Sequence, residues 1–524
     1  MSSELLQALQ DPQCYDHSVD GFALYETHIS WVLLTGEYVY KIKKPVDFGF
    51  LNFSTLDRRK RFCEEEIRLN KRLASALYVD VVPVTGTPDA PRMGGEGEPF
   101  EYAIRMRQFD NTQMMDRLYE EGRLTEAHLD ELAGQLADFH ESLPSARGEC
   151  GTPGAVRADA EQNFEQIRPL LDDQAQVEQL DRLSAWNDKA FKQLESHIAR
   201  RYEEDHVREC HGDLHLANIT LYNGQPTVFD CIEFSDGLRW IDTCNDLAFL
   251  LMDLEFRDAP QLANRVLNRY LQLSGDYDCL PLMDYYKAYR ATVRAKIALF
   301  TRGNPGLSDD EKQALLEKYQ AYINLAEQYA EQRNRYLLAT TGLSGSGKSW
   351  VSQHLSQSLN LIWLRSDVER KRLFGLKPLD SSHAQPELNI YTSEASRETY
   401  QHLATLAENV LKAGYPVIVD SAALHQSERA QLVRVAAAQD LPYLLLNCQA
   451  PESELRQRLE RRGKTEVDPS EADEAVMEKQ QSAAESLSAE ESDYSLDVDT
   501  TKSGIDTELA DQVRERVAAT PVPA

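Results

Sequence analysis

A chain of 524 residues, 42% of them hydrophobic, is too long for one ordinary core and apolar enough to fill two or three. The formal charge is −30, and dividing the chain after Arg335 leaves 37 basic against 57 acidic residues before it and 19 against 29 after it, so neither part offers the basic face that a nucleic-acid backbone requires. The eight cysteines form no C-x-x-C pair, the N-terminus lacks a basic stretch followed by an apolar core, and no run reaches about 18 apolar residues; a soluble cytoplasmic protein with no membrane, zinc or nucleic-acid partner is expected.

From Ile29 to about Val46 the sequence predicts two strands with a turn at Thr35-Gly36-Glu37. A helix follows from about Thr55 to Ala74 and a strand from Tyr102 to Phe109, which together make a small sheet-rich lobe of about residues 20–110. From Asp110 to about Leu325 the period is helical, broken by a strand-rich insert near residues 206–234 that contains LYNGQPTVF, a hairpin with Asn-Gly at its turn. The segment from Leu307 to Arg335 opens with Ser308 and Glu311 at capping-box spacing and is polar on most faces, as a last helix running into a connector would be. Beyond it, strands predicted before Gly342 and at Leu361–Leu364, Val417–Val419 and Tyr443–Leu446 alternate with helices, the pattern of a parallel α/β sheet. The acidic run from Glu466 to Asp499 reads as a solvated helix and loop surface. The domains expected are 1–330 and 334–524, each soluble alone.

In the first part, HGDLHLAN places Asp213 and Asn218 five positions apart on a loop, the spacing of a kinase catalytic loop. An Asp there accepts the proton of a substrate hydroxyl, an Asn oxygen ligates magnesium, and Asp230, ending the strand Thr227-Val228-Phe229, could complete the metal site. HGDLHLANI followed by VFDCIEF resembles the catalytic and metal loops of the aminoglycoside phosphotransferase and choline kinase superfamily, relatives of the protein kinases. That resemblance implies a two-lobed α+β kinase-like fold over about residues 20–325, with Asp213 as catalytic base, Asn218 and Asp230 as magnesium ligands and a phosphate-binding lysine on a small-lobe strand. Lys41 best matches the lysine, with Lys43 on the same strand face as the alternative. Glu66, chosen from the run Glu64 to Glu66, is the expected carboxylate partner. The loop over the phosphates, near Thr27 to Ser30, lacks the G-x-G-x-x-G of protein kinases. His211 and His215 are read as residues that fix the loop, and Asp242 and Asp246 as caps or pins of the following helix, outside the metal site.

In the second part, Gly342-Leu343-Ser344-Gly345-Ser346-Gly347-Lys348-Ser349 fits G-x-x-x-x-G-K-[ST] in full. Its glycines let backbone N–H groups wrap phosphates at a helix N-terminus, Lys348 faces the β- and γ-phosphates, and Ser349 ligates magnesium. Asp367, just past the strand LIWLR, could orient an acceptor hydroxyl and Arg370 an anionic group of the acceptor. Asp420 has the position of a magnesium-contacting carboxylate, and Arg458, Arg461 and Arg462 form a basic cluster able to close over the transferring phosphate, with Arg458 and Arg462 chosen as nucleotide contacts. GLSGSGKS, RSDVERKRLFG and VIVDSA resemble P-loop kinases of the gluconate kinase, adenylylsulfate kinase and zeta-toxin type, which implies an α/β P-loop domain with a mostly parallel sheet. The order of the two parts resembles the bacterial fusions of an aminoglycoside phosphotransferase with an ATP-binding protein. Such a chain is expected to be an ATP- and magnesium-dependent kinase acting on small-molecule alcohols at two sites; the alternative is a nucleotide-sensing regulator that binds ATP without an acceptor.

Overall fold

The computed structural model describes residues 3–47, 49, 51–146, 148–381, 390–462, 468–502 and 505–519. Near the N-terminus, β1 (Ala23–Glu26), β2 (Ser30–Leu34), β3 (Tyr38–Lys43), β4 (Tyr78–Thr87), β5 (Ala90–Met93) and β6 (Glu101–Arg107) form an antiparallel sheet in the order β1-β2-β3-β6-β4-β5. β2 and β3 are the expected hairpin, with Gly36 at φ +100° in the turn and Thr35 N–H donating to Tyr38 O at 2.9 Å. β1, β4 and β5 were not predicted; β4 hides behind Pro83 and Gly86, two residues that weaken a strand in sequence terms, and is held by pairing on both sides. The helix Leu56–Ala74, capped by the Thr55 hydroxyl accepting from Arg58 N–H, packs Cys63 and Ala74 against Tyr78, Ile104 and Met106. Trp31, Leu33, Tyr40 and Ile42 join Leu5 and Leu9 in a separate core.

Helices Glu126–Ser142, Pro153–Ile167 and Gln174–Glu203 follow, then the short strands β7 (Val207–Glu209), β8 (Ile219–Tyr222), β9 (Gln225–Val228) and β10 (Trp240–Asp242). The β8–β9 hairpin turns at Asn223 and Gly224, both at positive φ (53° and 79°), the type I′ geometry that Asn-Gly signals. Helices Thr243–Phe256, Pro260–Ser274, Leu280–Arg302 and Asp309–Gln328 complete this region. The last carries the expected capping box, Ser308 N–H to Glu311 Oε2 at 2.8 Å and Glu311 N–H to Ser308 Oγ at 3.3 Å. It is the helix expected, but not polar on most faces: Tyr319, Tyr322, Ile323 and Ala326 are buried on one side, and Tyr322 stacks on Phe256 at 3.8 Å.

β11 (Leu337–Thr341), β12 (Ile362–Arg365), β13 (Val417–Asp420), β14 (Tyr443–Gln449) and β15 (Ser495–Asp499) make a second sheet in the order β12-β13-β11-β14-β15, with every pairing parallel. The chain is thus a two-lobed α+β kinase-like part followed by an α/β P-loop part. β15 corrects the reading of the acidic run as helix and loop surface: Val498 is buried in the core beside Leu446 and Cys448, while the intervening acidic residues face outward. Glu466, where that run was taken to begin, lies outside the described residues.

By packing, the chain divides into two units that do not follow the sequence. One holds Met1–Glu131, Asp138–Asp253 and Tyr289–Tyr319, the other Leu132–Ala137, Leu254–Ala288 and Gln320–Ala524. The cut between residues 330 and 334 proposed from sequence is a different division, since the helix Pro260–Ser274 packs as part of the P-loop unit.

Candidate functional site

β3 alternates its side chains, so Lys41 and Lys43 share the face turned toward the helix Leu56–Ala74. Glu66, fully enclosed on that helix, receives both: Lys41 Nζ stands 2.8 Å from Oε1 and Lys43 Nζ 2.6 Å from Oε2. Lys41 also reaches Asp230 Oδ1 at 2.6 Å, and Lys43 pairs with Glu233. Only Lys41 borders solvent, with 13% of its side chain exposed against none for Lys43. Burial pushes the Glu66 carboxyl up, but the two lysines outweigh it and hold it at about 2. The structure therefore brings Lys41, Glu66 and Asp230 together and separates Glu66 from its neighbours, Glu65 pairing with Arg68 and Glu64 with Lys60. Glu233 was not picked from the sequence; its only signal was its place three residues after Asp230.

The loop from His211 to Asn218 is tied down from several elements. Enclosed Asp246 accepts His211 N–H at 3.0 Å and Gly212 N–H at 2.8 Å, Asp253 accepts Leu216 N–H at 3.0 Å, and Arg290 donates to Gly212 O at 2.9 Å. Gly212 takes φ +86°, with Leu238 O only 2.7 Å from where a Cβ would stand, so no other residue fits. His211 Nε2 meets Phe229 O at 2.9 Å, and burial pulls its imidazole below the usual range. Asp242 does cap the next helix, accepting Cys244 N–H at 2.8 Å while pairing with Arg201. Asp246, by contrast, pins the loop.

At the open end of that loop, Asn218 Nδ2 donates to both Asp213 O and Asp213 Oδ2 at 2.9 Å, and His215 Nε2 lies 3.4 Å from the same carboxylate, whose side chain is 34% exposed. Burial raises the Asp213 carboxyl, but His215, Arg294 and His211 together hold it below the usual carboxylate range. Asp230 sits at φ +63° with its side chain 44% exposed, its N–H donating to Tyr78 OH at 3.3 Å. Two carboxylates, an amide and a paired lysine are side chains of the kinds that phosphoryl transfer to a hydroxyl uses.

In the P-loop unit, β11 ends at Thr341 and the turn Gly342–Ser349 feeds the helix Lys348–Leu359. Gly342 and Gly345 take φ +144° and +83°, and a Cβ on them would fall 2.5 Å from Cys448 O and 2.9 Å from Leu455 O. Lys348 Nζ folds over the loop, donating to Gly342 O at 2.9 Å and Leu343 O at 2.8 Å, and burial pulls its ammonium below the usual range. Asp420, buried at the end of β13, accepts from the Ser349 hydroxyl and from Trp363 Nε1 at 3.3 Å; burial pushes its carboxyl up.

A cavity of about 600 Å³ opens beside the loop, lined among others by Lys348, Ser349, Asp367, Arg370, Asp420 and Arg458. Ser344, Gly345, Gly347 and Arg462 border it too, whereas Gly342 and Ser346 line a second cleft behind the loop and Arg461 lines neither. Arg370 is fixed in the wall, donating to Ile390 O at 3.0 Å. Arg458 ties the loop to the end of β15, donating to Gly345 O at 3.3 Å and Thr500 Oγ1 at 2.9 Å, and Arg462 donates to Ala472 O. Among the described residues, no helix is long and apolar enough to cross a membrane.

A family profile described as "Phosphotransferase enzyme family" matches residues 31–283, and one described as "AAA domain" matches residues 337–487. Fold and matches define the class: an aminoglycoside-phosphotransferase-like part ahead of a P-loop kinase-type part. Uncharacterized protein Rv2004c of Mycobacterium tuberculosis is 30% identical over 431 residues, covering 81% of this chain and 83% of its own, an alignment too long to lie in either part alone. The chain belongs to the family of that mycobacterial protein. Among solved structures, a gluconokinase from Sinorhizobium meliloti 1021 is 20% identical over 36% of this chain and 92% of its own, with a TM-score of 0.25. A choline/ethanolamine kinase family protein from Mesorhizobium loti is 11% identical over 62% of this chain and 97% of its own, with a TM-score of 0.38.

Proposed function

We propose that the chain is a tandem ATP-dependent phosphotransferase, each part binding ATP with magnesium and phosphorylating a hydroxyl group of a small molecule. ATP supplies the γ-phosphoryl group and magnesium neutralises the triphosphate; the side chains position, orient and move the proton. In the first part, Asp213 takes the proton of the acceptor hydroxyl: it is ionised, accessible and oriented by the Asn218 amide. That hydrogen bond commits the Asn218 nitrogen to Asp213 and leaves its carbonyl oxygen as the atom that would ligate magnesium. Asp230 is the second metal ligand; it already takes the Lys41 ammonium, so a cation suits it. Lys41, steadied by Glu66, faces the phosphates.

In the second part, the backbone of the Gly342–Ser349 turn and Lys348 hold the phosphates, and its glycines leave the loop free of any Cβ at its tightest approaches. Ser349 and Asp420, already hydrogen-bonded to each other, hold magnesium. Arg458 and Arg462 close over the phosphates from the cavity wall, Asp367 takes the proton of the acceptor hydroxyl, and Arg370 holds an anionic group of the acceptor. Small molecules in the cytoplasm are the proposed partners, and the charge of −30 supports excluding nucleic acid.

The observation that carries this reading is a meeting across 189 positions of chain: Lys41 and Asp230 stand 2.6 Å apart, beside the loop that bears Asp213. A screen of the protein with MgATP against a bacterial metabolite extract, read by phosphate release and by mass shift, tests it. Phosphorylated products should appear, one set lost in Asp213→Asn and another in Lys348→Ala. ATP binding without any phosphorylated product would favour the nucleotide-sensing alternative.

A further inference from the structure

Five side chains alternate in charge through the lobe of the first site: Asp230, Lys41, Glu66, Lys43 and Glu233. The first two reach solvent, whereas Glu66 and Lys43 are fully enclosed and Glu233 is 5% exposed. Lys43 cannot touch a nucleotide, since none of its side chain is accessible and its ammonium already faces Glu66, Glu233 and, at 4.8 Å, the ring of Phe53. Enclosing two further charges is costly, and an apolar pair of similar volume would often be as stable, so stability alone does not account for them.

The purpose follows from what Lys41 must do. Lys41 divides its ammonium between Glu66 Oε1 and Asp230 Oδ1. Were Asp230 to hold a metal and Lys41 to face phosphates, Glu66 would be the carboxylate left to hold Lys41 in place. Glu66 can do so only if its other oxygen, Oε2, keeps a partner, because an enclosed carboxylate oxygen with none would drive the group to protonate or turn away. Lys43 is that partner, at 2.6 Å, and Glu233 in turn balances Lys43.

We propose that Lys43 and Glu233 are a buried positioning pair for the first nucleotide site, acting through Glu66 to hold Lys41 against the phosphates. The inference rests on the reading of Lys41 as the phosphate-binding lysine. Glu233 thereby gains a role: the segment Asp230–Glu233 would supply a metal ligand with its first carboxylate and, three residues later, the counter-charge that keeps the lysine's own anchor in register.

A binding cycle separates this role from plain structural support. MgATP affinity at the first site is measured by calorimetry on the full chain carrying Lys348→Ala, which weakens the second site enough to separate the two. Lys43→Met with Glu233→Gln removes the pair without leaving a net buried charge, and should weaken MgATP about tenfold. Placed on Glu66→Gln, the same two changes should cost nothing further, because the residue they act through is gone. Equal losses in both backgrounds would overturn the proposal, as would an undiminished affinity in the folded Lys43→Met/Glu233→Gln chain. If that chain does not fold, Glu233→Gln alone carries the same cycle: a loss that persists on Glu66→Gln refutes the pair. Absence of any MgATP binding in the Lys348→Ala chain, with Glu66, Lys43 and Glu233 intact, would instead overturn the reading of the first site itself, and this inference with it.

Discussion

Trp363 donates its backbone N–H to the side-chain oxygen of Asn268 at 2.7 Å. Trp363 lies on β12, an edge strand of the P-loop sheet, and Asn268 on the helix Pro260–Ser274. One turn away, Asn264 Nδ2 donates to Leu361 O at 3.0 Å, and Asn268 Nδ2 reaches the same carbonyl at 2.9 Å. The unpaired edge that a parallel sheet would present to water is thus closed by amides four residues apart on one helix face.

Asn268→Ala should therefore destabilise the P-loop unit by about 1 to 3 kcal/mol, because it leaves a buried N–H without its acceptor. Hydrogen exchange of the Trp363 amide should speed up by the corresponding factor of about 5 to 150. A fragment starting at residue 334 lacks the whole helix, and should be less stable than the same sheet in the intact chain. An independently stable, non-aggregating 334–524 fragment with a protected Trp363 amide would show the helix to be dispensable.

This covering helix also marks where sequence reading stops. The turn Gly342–Ser349 and the string from His211 to Asn218 were legible because their chemistry is local: backbone turn, spacing and side-chain type lie within eight residues. Glu66 could be named only as one of three neighbours, since which glutamate faces β3 depends on how the helix Leu56–Ala74 lies on the sheet. Glu233 carries only its place three residues after Asp230, and the loop-pinning role of Asp246 carries no local signal. Each is defined by a partner far along the chain, Lys43 at 190 positions and the His211 N–H at 35. β15 was hidden by its composition, because a strand with one buried side chain and acidic neighbours looks like surface.

Asp246→Asn tests the pinned loop. Burial raises that carboxyl, but His140 and His211 hold it at about 2 against an ordinary 3.8. A carboxyl depressed on folding contributes stability that is complete above its ordinary value and fades as the pH falls through about 2. The charge contributes about 2 kcal/mol at pH 7. Denaturation of the wild type and Asp246→Asn should therefore show a gap of roughly that size at pH 7, narrowing below pH 3. A gap independent of pH would remove the charge from the explanation.

Gly342→Ala should abolish nucleotide binding at the second site while sparing the first. The new Cβ would meet the carbonyl of Cys448 at 2.5 Å, a backbone atom of β14 that cannot step aside, and the φ of +144° disfavours any side chain. Loss of one bound ATP per chain, with the other affinity unchanged, is the expected titration.

Asp213→Asn should keep MgATP affinity within about threefold while lowering transfer from the first site by a hundredfold or more, because the shape remains and the proton acceptor does not. Turnover of any identified acceptor measures it. Unchanged turnover would take Asp213 out of the mechanism.

The claim on which the rest depends is that one chain holds two nucleotide sites of different construction. Asp230→Ala removes a carboxylate from the first and Lys348→Ala the loop cation from the second, each a charge-assisted contact worth about 1.5 to 3 kcal/mol, or roughly ten- to a hundredfold in affinity. Calorimetry of MgATP binding should resolve two sites in the wild type and one strong site in each variant, a different one each time. A wild-type stoichiometry of one ATP per chain, lost in Lys348→Ala and untouched in Asp230→Ala, would contradict it and leave the first part a kinase-shaped domain that does not use ATP.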